Sequence, residues 1–184
     1  AAVKPDYPVY RAHRFTWQTR PSELFYEASE IPTIRLALDE VLAAEAPISE
    51  SLLTARIRTQ WGFKSSGKRI AKRVRSAVVA SGARVVVHGA DTFYWPADSD
   101  PERWNSFRVA GNDPLDQRNA EDLPPEEIAA AAHAVLSTQL SLTKEGLVSE
   151  TARLLGYRRT GRKVVERIDA GVELLVSRGI AETD

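Results

Sequence analysis

The stretch Trp61 to Val74 reads WGFKSSGKRIAKRV, and the stretch Leu155 to Ile168 reads LGYRRTGRKVVERI. Laid over each other at an offset of 94 residues, they align without a gap. Gly62 meets Gly156, Phe63 meets Tyr157, Gly67 meets Gly161 and Arg73 meets Arg167. Upstream, Ser49 meets Thr143 and Leu53 meets Leu147. Ile34, Ala37, Val41 and Leu42 fall on Ile128, Ala131, Val135 and Leu136. A fixed-period match that keeps both glycines is the mark of an internal repeat. The chain therefore reads as two copies of one module, residues 31–97 and 125–184. An N-terminal extension, 1–30, precedes them, and a linker, 98–124, joins them.

The first copy predicts three helices and a hairpin. Ile34, Ala37, Leu38, Val41 and Leu42 recur at helical spacing, with Pro32 suited to the first turn. After a break at Ala46-Pro47-Ile48, Ser49 can cap a second helix carrying Leu52, Leu53 and Ile57, which Gly62 ends. Ser66 can cap a third, with Ile70, Val74, Ala77 and Val78 as its buried stripe. Val85 to His88 and Asp91 to Trp95 read as strands about a Gly89-Ala90 turn. Three helices followed by a hairpin is the winged-helix order, a variant of the helix-turn-helix whose last helix commonly enters a DNA major groove. In the second copy Ile128 to Ser137 form the first helix, and Thr143 and Thr160 cap the next two. Ile168, Val172 and Leu175 make the core stripe of the last. Its wing is curtailed to Gly179-Ile180-Ala181-Glu182. The expected fold is mainly α with small β-hairpins, a tandem winged-helix repeat. In the linker, Trp104, Phe107 and Leu115 are expected to pin the chain against one or both modules.

The chain has 184 residues, no cysteine and no methionine, with 25 Lys+Arg against 25 Asp+Glu. Without cysteine, disulfides, zinc-thiolate sites and thiol nucleophiles are excluded. The lack of methionine suggests an excised or processed piece of something longer. No apolar run approaches the roughly 20 residues of a membrane span, and a cytoplasmic location is expected. A net charge of zero argues at first against nucleic acid. The sum hides an asymmetry, however. Residues 32–97 carry a net +5, and residues 98–184 a net −5. From Ser51 to Ala90 there are nine Lys or Arg and no carboxylate.

That basic stretch supplies the candidate site. Gly62-Phe63-Lys64-Ser65-Ser66-Gly67-Lys68 mimics a phosphate loop, but Arg69 stands where a Ser or Thr must hold magnesium, and a helix precedes it. On the third helix, Lys68, Arg69, Lys72, Arg75 and Ser76 cover the face opposite the apolar stripe. Lys64 precedes them in the turn, and Arg84 and His88 lie on the wing. Cations so placed can neutralise phosphates and release counterions. The expected DNA-binding residues are therefore Lys64, Lys68, Arg69, Lys72, Arg75, Arg84 and His88. Arg73 lies nearer the apolar edge and reads as a structural pair. In the second copy Glu166 and Asp169 replace Lys72 and Arg75, so that helix face is a poor phosphate ligand, although Arg158 and Arg159 keep its leading turn basic. His13, His88 and His133 lack metal-ligand spacing, and no nucleophile elbow or nuclease-type cluster appears. No catalytic residue, cofactor, metal or small-molecule substrate is expected.

Glu45-Ala46-Pro47-Ile48-Ser49, Trp61-Gly62-Phe63 and Ser66-Gly67-Lys68-Arg69-Ile70 resemble a bacterial domain family of undefined function. The resemblance continues through Phe107-Arg108, Arg118, Pro125-Glu126-Glu127-Ile128 and Leu154 to Gly161, covering residues 30–180. It implies a C-terminal accessory region of a large superfamily I DNA helicase protein that also carries a Vsr-like nuclease domain. The partners implied are duplex or junction DNA and the helicase and nuclease domains of the parent chain. Two rival readings are a protein-docking module within the same assembly and a free-standing transcription regulator. The second is weakened by unequal copies that do not suggest a palindromic operator.

Overall fold

The structure is a computed structural model that describes residues 5–181. It is mainly helical, with six α-helices and one three-stranded antiparallel sheet among the described residues. The chain separates into two compact units, one from Ala12 to Ser99, the other from the segment up to Arg11 together with the chain from Asp100 onward.

In the first unit, α1 (Ile31–Glu45), α2 (Glu50–Gln60) and α3 (Lys68–Ser81) enclose a core of Ile34, Leu38, Leu53, Ile57, Val74 and Val78. Pro32 sits in the first turn of α1, where its missing N–H costs nothing. Ser49 caps α2, its hydroxyl accepting from Leu52 N–H at 3.0 Å. Gly62 ends the helix with a φ of 70°, a left-handed conformation that suits glycine. The hairpin strands are β2 (Arg84–His88) and β3 (Asp91–Trp95), joined through Gly89-Ala90. A further strand, β1 (Ile48–Ser49), pairs with β3, so the sheet order is β1-β3-β2. Tyr94 faces Ile48 on one side and Val85 on the other. β1 falls in the stretch expected to be a plain break. Two residues have no periodicity to read, and their pairing depends on a strand more than forty positions later.

The segment before α1 belongs to this unit's core. Phe25 is fully buried against Trp61, with ring centroids 5.6 Å apart, and Trp17 meets Trp61 edge-on. Burying such a side chain contributes about 1.5–3 kcal/mol. The Trp61 indole donates to Glu30 at 2.9 Å, and Glu30 also pairs with Arg20. The Gln60 amide donates to the carbonyls of Trp17 and Gln18, fastening this segment to the end of α2.

In the second unit, α4 (Pro125–Thr138), α5 (Lys144–Leu154) and α6 (Arg162–Ser177) bury Ile128, Ala131, Val135, Leu147, Ile168 and Val172. The starts of α5 and α6 fall 94 residues after those of α2 and α3. Thr143 caps α5 by accepting from Gly146 N–H at 3.1 Å. Gly156 ends it at φ 100°. A short parallel bridge joins Val9 to Val109.

Three expectations need correction. The caps of α3 and α6 are Gly67 and Gly161, without side-chain bonds, and not Ser66 and Thr160. Each helix starts one residue later than a hydroxyl cap at those positions implies. Leu115 does not pin the linker; it is exposed, whereas Phe107 enters the core and Trp104 is half-buried with its indole donating to Ser106 O. The hairpin also occurs once: after α6 the chain turns at Gly179 with no second wing among the described residues, and Glu182 lies outside them.

Candidate nucleic-acid interface

The arrangement of α2 and α3 is set by their apolar residues, and the placing of the charges follows from that. Ile70, Val74 and Val78 face the core, which turns Lys68, Lys72 and Val79 to the opposite side of α3. The turn from Gly62 to Gly67 places Lys64 on the surface just ahead of the helix. Arg58 holds that turn, its guanidinium donating to Phe63 O at 3.1 Å.

The nine cations between Ser51 and Ala90 do not form one surface. Arg56 is spent on Glu45, whose carboxylate is fully buried. Arg73 donates to Glu27 O at 2.8 Å and lies over the Phe25 ring, so it is a structural residue. Arg75 makes a two-pronged pair with Glu50, at 2.6 Å and 3.1 Å. The same carboxylate accepts from Tyr94 O–H at 2.6 Å. The Arg75 hydrogen bonds hold Glu50 below the usual carboxylate range. Burial, then the bond to Glu50, pushes the Tyr94 phenol up. On β2, Arg84 Nε donates to Ala97 O at 3.1 Å, and His88 stands half-buried beside Phe93.

Four of the seven expected residues carry a charge that no group among the described residues pairs. Lys64, Lys68 and Lys72 are exposed, and their ammonium groups make no hydrogen bond or ion pair among the described residues. Arg69 stacks on the Tyr26 ring, 4.3 Å from its centroid, and its N–H groups have no protein acceptor among the described residues. A guanidinium held by stacking presents its planar fork for two-pronged contact with a phosphate or carboxylate. Tyr26, from the segment before α1, thus joins the site; it lies some forty residues from Arg69 in sequence, so no local signal marks it. Arg75 sits beside this set as a clasp, and Arg84 and His88 lie on β2. The exposed surface also carries Val79 on α3 and Val85 and Val87 on β2.

The corresponding face of α6 is self-neutralised. Arg162 pairs with Glu166, Lys163 with Glu121, and Lys144 with Asp169 and Glu173. By contrast, Arg158 and Arg159 in the preceding turn are exposed and have no such partner among the described residues.

A different ionic cluster lies inside the second unit. Glu127, in the first turn of α4, is fully buried and held by Arg108 and Arg118. Burial pushes its carboxyl up, but Arg118 and Arg108 more than offset this and hold it below the usual range. Both arginines stack on Tyr10, and Tyr157 O–H donates to Arg118 O at 2.8 Å. Every member is occupied by another, so this is an element of the fold. Among the described residues no group of three or more His, Asp or Glu could hold a metal ion, and no helix is long and apolar enough to cross a membrane.

Residues 23–77 match the model of a family described as a protein of unknown function, DUF3320. The matched stretch holds α1, α2 and most of α3, with Lys64, Lys68, Arg69 and Lys72. No curated protein and no solved structure matches the chain.

Proposed function

We propose that this chain is a non-catalytic accessory region that binds duplex or junction DNA. In this reading its units are two winged-helix copies, and it helps place the helicase or nuclease core of a parent protein on its substrate. The observation that carries it is the set of exposed, unpartnered lysines Lys64, Lys68 and Lys72 on the outer side of a helix-turn-helix. Support for the winged-helix reading comes from the strand order β1-β3-β2 behind three helices. Arg69 on Tyr26 adds a fourth contact, and Arg84 and His88 on the wing would meet a neighbouring phosphate. No Asn or Gln stands on the exposed side of α3 to read base edges, so contact to the backbone and little sequence preference are expected.

Fluorescence anisotropy of a labelled duplex tests this at two salt concentrations. Binding that weakens steeply with salt supports the reading, because each neutralised phosphate adds about 0.9 to the slope of log affinity against log salt. No binding at low salt overturns it. A second reading, docking of a protein on the same surface, draws on Val79, Val85 and Val87, exposed apolar side chains that a purely phosphate-binding surface does not need. Binding to a parent-chain domain with little salt dependence would favour it.

A further inference from the structure

The second unit contains a cleft of about 770 Å3 between the chain at Ala110–Gln117 and the turn that joins α5 to α6. We propose that this cleft is a second anion site, one that takes a phosphate group. It goes beyond the first unit's surface and does not rest on that surface binding DNA.

Its construction begins with a glycine. Gly156 has a φ of 100°, and a Cβ there would lie 2.6 Å from the Cβ of Ala110. Only glycine lets the turn close onto the 107–111 segment, and Gly156 and Ala110 both line the cleft. Tyr157 then points back into the fold, its hydroxyl fixed to Arg118 O at 2.8 Å. With Tyr157 anchored, Arg158 and Arg159 follow at the rim. Both are exposed, and neither has a hydrogen bond or ion pair with any described residue. Asn112 and Gln117 also line the cleft, and Gln117 Nε2 donates to Gly111 O at 3.2 Å.

The electrostatics favour an anion. No lining residue is acidic. Asp116 is engaged by Arg11 and Glu150 by Arg153; of the carboxylates that act on Tyr157, Glu121 pairs with Lys163 and Glu127 with Arg108 and Arg118, while Asp122 also faces it. Two guanidiniums stand without counter-charge in a unit that pairs Arg162 and Lys163 of α6, which is the opposite of what a purely solvated acidic unit needs. Arginine's planar fork suits phosphate oxygens in particular. The volume lies within the usual range of roughly 300–1,000 Å3 for small-ligand sites, so a nucleotide phosphate and a nucleic-acid backbone are both sterically admissible sources. In the repeat, Arg158 occupies the place of Lys64. The second copy has therefore lost its cationic helix face and kept a cationic turn.

The test follows backbone amide signals of Gly156, Tyr157, Arg158 and Arg159 by NMR in the full chain. Inorganic phosphate, a mononucleotide and a short duplex are titrated separately. Saturable shifts at these amides are expected from at least one of them. They should weaken at least about tenfold in Arg158→Ala/Arg159→Ala, as loss of charge-assisted hydrogen bonds implies, and persist in part in Arg158→Lys/Arg159→Lys. Saturation by the duplex at far lower concentration than by phosphate identifies a nucleic-acid backbone as the source. Saturation by phosphate or mononucleotide alone identifies a small ligand. The variant Lys64→Ala/Lys68→Ala/Lys72→Ala should leave the phosphate response unchanged, which separates this site from the first unit's. Absence of shifts with all three probes, or shifts that survive undiminished in the alanine pair, would overturn the proposal.

Discussion

Arg75 Nη2 lies 2.6 Å from Glu50 Oε1, and this pair joins the middle of α3 to the first turn of α2. Tyr94 on β3 donates to the same carboxylate, so one acidic residue ties two helices and the sheet. A residue that reads in the sequence as one more cation on a ligand-binding face is thus a clasp of the fold.

The clasp makes a pH prediction. Arg75 holds the folded Glu50 below the unfolded carboxylate value of about 4.3. A lowered folded pKa contributes stability that is fully present above the unfolded pKa and is lost as pH falls through the folded one. Glu50→Gln should therefore melt at a lower temperature than the native chain at pH 7. The gap should close as melts are repeated at successively lower pH below about 4. A gap that stays constant with pH would contradict the role assigned to the charge.

Glu127 is a harsher case. Its removal leaves Arg108 and Arg118 facing one another with no carboxylate between them, in a setting where Arg118 is almost fully buried. Breaking a buried ion pair on one side costs about 3–5 kcal/mol. Glu127→Ala should lose that amount in urea denaturation. Replacing an exposed pair member such as Glu166→Ala should cost less than about 1 kcal/mol.

Gly171, within α6, sets two effects against each other. Alanine is a better helix former than glycine by about 1 kcal/mol. A Cβ at this position, however, would lie 2.2 Å from Ile128 Cγ2 and 2.4 Å from Ile128 Cβ. Overpacking costs about 1–3 kcal/mol or more, and the close approach of α6 to α4 decides the sign. Gly171→Ala should lower the melting temperature despite its helix propensity. Combining it with Ile128→Ala should not rescue it, because the Cβ at position 128 remains.

The elements most legible in the sequence are those with local causes. Ser49 and Thr143 act as caps, Gly62 and Gly156 as stops, and Gly89-Ala90 as the hairpin turn, because each depends on residues within a few positions. The features that local patterns do not show depend on distant partners. β1 exists only because β3 is there to pair with it. Arg75 is committed only because α2 begins with Glu50 close by in space. Arg69 is ordered by Tyr26, and the second unit's cleft is made by segments some forty residues apart. Gly67 and Gly161 take the cap positions beside hydroxyl residues better suited to capping, and nothing local distinguishes the two choices.

In the proposed reading Lys64, Lys68 and Lys72 neutralise nucleic-acid phosphates. This is tested most directly by the salt dependence of duplex binding, measured by anisotropy for the native chain and for Lys64→Ala/Lys68→Ala/Lys72→Ala. The triple variant should bind more weakly at every salt concentration, with a log–log slope shallower by about 3, close to one for each phosphate that a lysine no longer neutralises. Tight, salt-sensitive binding of the triple variant with an unchanged slope would contradict the claim.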